Sequence, residues 1–441
     1  MPATTATLSA RQAVAGGLLF IGLLLQISGF TDIAVPSPLV SVTLWLSVIL
    51  LWQDIPRRTR WQAGCLSGIG VGLLLVARFH YGADIRWSTM LDGNTFVVTM
   101  LIGVSFVGLI GNRSSSARPL GRPIMGARGI ASTWLGVHLL GTILNLSTVF
   151  MIGDRLARQG PLSMPQYLAL NRGLSSAALW SPFFASMGVV ITLVPGMKFP
   201  VVLAFGMPLA LCAGLLTLLE LTHRFDLDET AGFSLSPHSL LMPVSMASLV
   251  MLFHYGLTPE LTIVSIITFL LPLAALASNL PRGPRWTLRR IRQHTMVRLP
   301  GMRGEVSLFL CAGLLTEGLA SFIAAATGSD WQLFARFGAL EGVLSFLAIV
   351  ASAVMGLHPI IGVSVLASML ELDGSGQTLF ACVALASWAV GTSVGPLSGI
   401  NLSLQGRYGV SGAQLMKHNM LYASAMSVLT VVAISALAAW L

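Results

Sequence analysis

Apolar runs of about 20 residues follow one another from end to end of this 441-residue chain, and only 9% of its residues are charged. A soluble domain carries roughly a quarter charged residues. Runs of this length match the hydrocarbon thickness of a bilayer. Short alternating segments, the mark of a membrane barrel, are not seen. The reading is an all-α polytopic membrane protein.

The net charge of +9 comes from arginines in short connectors, which is a topology signal rather than a nucleic-acid one. "RRTR" at 57–60, the 112–129 loop with Arg113, Arg118, Arg122 and Arg128, and the 280–304 loop with seven arginines and no acid are placed in the cytoplasm. The connectors holding Asp84 and Asp92, Glu260, Asp330, and Glu371 with Asp373 are placed outside. The cysteines (Cys65, Cys212, Cys311 and Cys382) are dispersed in apolar runs and read as packing residues. The N-terminus lacks a clear small-residue cleavage site, so 13–31 is taken as a retained span.

Thirteen apolar stretches are expected: 13–31, 34–53, 62–79, 93–111, 130–153, 174–195, 200–221, 238–254, 257–279, 306–327, 337–371, 376–400 and 419–441. Parity singles out one of them. The loop before 130–153 and the connector after it, with Arg155, Arg158 and Arg172, both look cytoplasmic. That stretch must enter and leave on one side, turning near "LNLST" at 144–148. Stretch 337–371 is too long for one span and carries the helix-breaking "MGLHP" at 355–359. The expectation is about eleven spans plus two re-entrant hairpins, the N-terminus inside and the C-terminus outside.

The halves then match. Each has a hairpin, a broken span and a plain span. The breaks read "WSPFFAS" at 180–186 and "GTSVGPLSGIN" at 391–401. From Ser147 to Pro182 is 35 positions, and from His358 to Pro396 is 38. One hairpin opens inside and the other outside, which makes an inverted repeat. Broken helices meeting at mid-membrane mark a secondary transporter's binding site. Pro396 removes a donor, Gly391, Gly395 and Gly399 allow unusual backbone angles and close approach, and the freed carbonyls with Thr392, Ser393 and Ser398 can coordinate a cation. Half-helix N-termini suit an anion.

At these residues the chain resembles the ion transporter superfamily, which includes divalent-anion/sodium symporters, TRAP-transporter large membrane subunits, and arsenite and sodium/proton antiporters. The resemblance covers 34–441. It implies two inverted halves, each with a hairpin and a broken helix. The sodium/carboxylate branch carries Ser-Asn-Thr at its tips. Here the first tip reads "NLST", so that role carries to Asn145, Ser147 and Thr148. The second reads "GLHP", and the role reaches His358 and Pro359 by position only.

The expected substrate-binding residues are therefore Asn145, Ser147, Thr148, Ser181, Pro182, Ser186, His358, Pro359, Thr392, Ser393, Gly395, Pro396 and Ser398. Asn145, Thr392, Ser398, Asn401 and Glu317 are the coupling-ion candidates. Each has a plainer reading: hydroxyls bonding back onto their own helix, a packed kink, or a cap at Asn401. His358 can face an anion, carry a proton or simply brace its hairpin. Glu317 and Glu341 are proton carriers or structural groups, and His138 and Asp154 flank the first hairpin.

The function expected is secondary active transport of a small anionic, carboxylate-like solute across a bacterial inner membrane. Coupling is to Na+ or H+, and no cofactor is expected beyond a coupling Na+. The motion is of the elevator type. Residues 1–33 form an N-terminal span, 34–129 and 222–336 a scaffold, and 130–221 and 337–441 the transport domain. Expected partners are the bilayer, a second copy through the scaffold and a soluble substrate-binding protein. Three alternatives stand beside it: a polytopic acyl- or glycosyltransferase, a sodium/proton antiporter of the same superfamily, and a channel. The chain has no HExxH and no Walker loop, so no enzyme is expected.

Overall fold

A computed structural model describes residues 9–30, 37–85, 90–110, 124–235, 237–328 and 332–441. Arg113, Arg118, Arg122 and Asp330 lie outside the described residues. The described residues are nearly all helix, with one two-residue antiparallel strand pair among them, β1 (Ile124–Met125) and β2 (Ala231–Gly232). Seven helical segments among the described residues are long and apolar enough to cross a membrane, and shorter apolar helices accompany them. The protein is an all-α polytopic membrane protein.

Contacts divide the chain into two units, residues 1–115 with 253–331 and residues 116–252 with 332–441. The first unit holds α1 (Ala10–Ser28), α2 (Ser37–Leu51), α3 (Arg57–Phe79) and α4 (Thr95–Ser105). The second unit takes up the chain with α5 (Gly126–Leu144), α6 (Leu146–Ala157), α7 (Met164–Ala177), α8 (Ala185–Leu193), α9 (Phe199–Arg224) and α10 (Pro237–Leu252). The first unit resumes with α11 (Ile263–Asn279), the basic α12 (Pro284–Gln293) and α13 (Arg303–Thr327). In it α3 packs along α13, and the buried Asn94 amide donates to Phe309 O at 3.0 Å. The span expected at 238–254 belongs largely to the second unit, because α10 packs on α5.

The second unit ends with α14 (Ala339–Val354), α15 (Pro359–Ser368), α16 (Gly374–Val394), α17 (Gly399–Tyr408) and α18 (Gly412–Trp440). Two matched sets result. Helices α5 and α6 fold back on each other at Asn145, which takes φ 50°, a positive value that asparagine tolerates better than bulkier side chains. Helices α14 and α15 fold back at 355–358. Broken helix α7–α8 follows the first hairpin and α16–α17 the second, and the plain helices α9 and α18 close each set. Every residue in the most apolar window of α16–α17 is buried, against 28% in α18. The broken helix is thus the axis of this unit, and the plain helix carries its outer apolar surface.

The broken helices run antiparallel. Tyr167 near the start of α7 donates its hydroxyl to Tyr408 O at the end of α17, 3.4 Å away. Asn171 reaches Asn401 at 2.7 Å. At the far end the backbone N–H groups of Gly196 and Lys198 donate to Gln377 and Thr378 at 2.7 and 3.0 Å. Numbers rise along one helix as they fall along the other, so the two breaks, 178–184 and 395–398, lie at one level.

One expectation fails here. Arg172 is not a connector charge; it lies inside α7 and is fully buried. The helix begins at Met164 with proline in its first turn, and Gln166 accepts from the Ser163 backbone N–H at 2.7 Å. That is a helix-start signature, and it carries the helix about ten residues earlier than the apolar run. The charge argument for the first hairpin then rests on Arg155 and Arg158.

Candidate substrate site

Both hairpin tips meet the breaks. At the first, the Asn145 amide donates to Phe183 O at 3.1 Å and the Ser181 hydroxyl to Thr142 O at 2.6 Å. Ser181 also accepts from Phe183 N at 3.2 Å, and the Ser186 hydroxyl donates to Ala178 O at 3.1 Å. Ser181, Pro182 and Ser186 are buried and Ser147 is exposed. Thr148 is fully buried, and its hydroxyl has no hydrogen-bond partner among the described residues. An orphaned buried hydroxyl calls for an explanation.

The second tip is seated by close packing. A Cβ on Gly391 would stand 2.8 Å from Pro359 Cγ, and one on Gly395 3.0 Å from Ala353 O. These glycines are required for close approach. Neither has a positive φ, so the unusual backbone angles expected of them are not adopted. His358 caps α15: its Nδ1 accepts from Ile360 N at 3.2 Å, which puts the ring proton on Nε2. Its ring stands edge-on to Trp388, centroids 5.2 Å apart.

"GTSVGPLSGIN" is broken only at Gly395–Ser398. Gly391–Val394 stays helical, its backbone ladder running on to Gly395 N–H on Gly391 O at 2.8 Å, and Thr392 and Ser393 turn back to Trp388 O and Val390 O at 2.8 and 2.7 Å. Ser398 caps α17, accepting from Asn401 N at 3.3 Å. Pro396 has no N–H, and the chain leaves the helix at Gly395. In an apolar interior each freed carbonyl needs a donor. Asn401 supplies one to Gly395 O at 2.9 Å, and Asn419 supplies one to Ser393 O at 2.9 Å.

Those asparagines belong to a buried relay absent from the sequence reading. Asn171 donates to Asn401 Oδ1 at 2.7 Å. Arg172 Nε donates to Asn419 Oδ1 at 2.7 Å, and Arg172 Nη2 to His418 O at 3.2 Å. Arg172 also pairs with Glu220 at 2.9 Å and lies over the Tyr422 ring at 4.4 Å. Asn171, Arg172, Asn401 and Asn419 are all 0% exposed. A buried charge persists only when it is paired and hydrogen-bonded, and Arg172 is both.

The remaining candidates have defined places. His138 Nδ1 meets Ser176 Oγ at 2.9 Å, its Nε2 accepts from Trp180 at 3.2 Å, and its ring stacks on Trp134. Both nitrogens are engaged. Glu341 accepts from Gly338 N at 3.0 Å at the start of α14. Asp154 takes a two-pronged bond from Arg407, at 2.7 and 2.5 Å, and one from the Tyr408 hydroxyl at 2.9 Å. Burial pushes its carboxyl up, but the bonds from Arg407 and Tyr408 outweigh that and hold it below the usual carboxylate range. Glu317 lies on α13 of the first unit, and the other candidates belong to the second.

Four short helices begin at the level of the breaks: α6 with 12 residues, α8 with 9, α15 with 10 and α17 with 10. Each short hairpin arm lies against the other half's second half-helix, α6 on α17 through Asp154 and Tyr408, and α15 on α8. Helices α6 and α8 have no side-chain cap. Their first N–H groups and the positive ends of their dipoles are therefore free to meet negative charge.

No family model and no curated protein matches the chain. Among solved structures it is similar to the YdaH transporter of Alcanivorax borkumensis, whose crystal structure is described as revealing an unusual topology. The identity is 16% and the TM-score 0.39, with 95% of this chain and 87% of that one covered.

Proposed function

We propose that the protein is a secondary active transporter of the ion transporter superfamily type, moving a small anionic, carboxylate-like solute. The observation that carries this is the gathering of four short-helix N-termini at the level of two antiparallel breaks. Such N-termini favour anions, and broken helices of this kind mark transporter sites. The matched hairpins and antiparallel breaks support an inverted repeat. In this reading the second unit is the transport domain and moves against the first in an elevator cycle.

Coupling is to Na+ or H+. The first break suits a cation: the orphaned Thr148 hydroxyl and the Asn145 Oδ1 offer oxygen. The Nε2–H of His358 is the donor that would meet the solute's negative charge at the second tip. The test is thermal unfolding of the purified protein with small carboxylates, inorganic oxyanions and neutral controls, with and without sodium, at two pH values. A ligand that binds the folded state raises Tm. A carboxylate should raise it, and Thr148→Ala should blunt the rise. If lipid-linked donors shift the protein while no carboxylate or oxyanion does, a membrane transferase is the better reading.

A further inference from the structure

We infer that the second break holds no coupling cation, because amide donors oriented through Arg172 and Asn171 occupy the place a cation would take. This rests on the transporter reading and narrows it: cation coupling belongs to the first break alone.

A cation at a helix break is bound by carbonyl and hydroxyl oxygens. At the second break two of those carbonyls face donors. Gly395 O and Ser393 O each accept an asparagine N–H at 2.9 Å. The hydroxyls of Thr392 and Ser393 are turned onto their own helix, and the Ser398 oxygen accepts from Asn401 N. A cation placed there would meet the amide N–H groups of Asn401 and Asn419. These amides are fixed from behind. Asn419 Oδ1 accepts from Arg172, and Asn401 Oδ1 accepts from Asn171, so each asparagine must turn its donor end toward the break. The guanidinium, itself paired with Glu220, thus orients the Asn419 end of the relay. At the first break the balance differs: Thr148, in the first turn of α6, keeps a buried hydroxyl with no partner among the described residues, whereas the other such hydroxyls of the second half, Ser345, Ser364 and Thr430, lie within α14, α15 and α18 and not at 395–398.

Asn401→Asp tests this by exchanging donor for acceptor. The carboxylate still accepts from Asn171, while Gly395 O loses the Asn401 amide and keeps only the Ser398 N–H, so that a carboxylate oxygen faces Gly395 O and Ser393 O. The full chain is melted in detergent in sodium chloride and in choline chloride at equal ionic strength. For wild type, any sodium response should vanish in Thr148→Ala and survive in Ser398→Ala. Asn401→Asp should gain an additional sodium-dependent rise of about 3 °C, the size a bound ligand gives a large domain. Asn419→Asp, which removes the donor to Ser393 O, serves if Asn401→Asp does not fold. The inference is overturned if the wild-type sodium response is lost in Ser398→Ala and kept in Thr148→Ala. It is also overturned if a folded variant gains no response. Failure of the transporter reading would show instead as the absence of any carboxylate shift, whatever sodium does.

Discussion

The two halves of the second unit solve one problem in opposite ways. Each must satisfy the backbone groups freed by a broken helix. In the first half the repair is local: Asn145 and Ser181 tie the hairpin tip to its own break, 38 and 39 residues apart in sequence. In the second half it is distant. Asn419 lies one helix beyond the break, and its orientation is set by Arg172, 247 residues away. The second tip meets its break by packing against Gly391 and Gly395. A tip held by two hydrogen bonds can be released by losing them. A break held by a buried relay is fixed unless the charge is removed. The first hairpin is therefore expected to be the more readily opened.

The largest effect that separates the halves should come from Arg172→Met. It takes from Glu220 its fully buried partner, leaving it only the half-exposed Arg224 among the described residues, and takes from Asn419 the bond that orients it. Removing one partner of a buried pair costs about 3–5 kcal/mol. Adding Glu220→Leu should restore part of the loss, since an apolar pair avoids the unpaired charge. Thermal unfolding of the single and double variants measures both. Equal stability of wild type and Arg172→Met would show that the second break does not depend on the relay.

Asn145→Ala comes next. It leaves Phe183 O without its amide donor at a buried site, a loss of about 1–3 kcal/mol. Hydrogen exchange should show the amides of 142–150 opening faster while those of 391–405 keep their protection. Loss of protection at both breaks together would mean that the halves act as one unit. Gly391→Ala probes the packed tip instead. The new methyl meets Pro359 and Ala353, and overpacking of this sort costs about 1–3 kcal/mol. Cross-linking between cysteines placed on α15 and α16 should fall as the tip is pushed away.

Much of the fold was legible because it is written in local signals. Apolar length gave the spans, proline and glycine gave the breaks, and a parity conflict gave the first hairpin. The relay was not legible, because its meaning lies in pairings more than 200 residues apart. Arg172 looked like a loop charge beside Arg155 and Arg158. The start signature Ser163-Met-Pro-Gln166 would have set it two turns inside a helix, where a lone arginine demands a carboxylate. Glu220 in "TLLELTHR" was the matching clue, a lone acid near the end of an apolar span. The hydroxyls of Thr392 and Ser393 were legible as chemistry but not as direction, since a helical hydroxyl turns inward to its own carbonyl when nothing else competes.

The smallest effect is expected where the halves are joined at the surface, by Asp154 on α6 with Arg407 and Tyr408 on α17. Side-chain exposure is 50% for Arg407 and 37% for Asp154, so solvent screens the pair and its contribution is well under about 1 kcal/mol. Its pH dependence has a definite sign. The Asp154 carboxyl is held below its ordinary value in the folded protein, against the effect of burial, by Arg407 and Tyr408. Its stabilisation is full above the unfolded-state value, near about 4, and is lost as pH falls through the folded one. Asp154→Asn should leave the melting temperature at pH 7 slightly lowered and flatten the acid limb of its pH profile. If hairpin opening is the first step of unfolding, the same variant should also speed exchange at 146–157 before any change appears in α16. An acid limb identical to wild type would remove this contact from the set that ties the first hairpin to the second half.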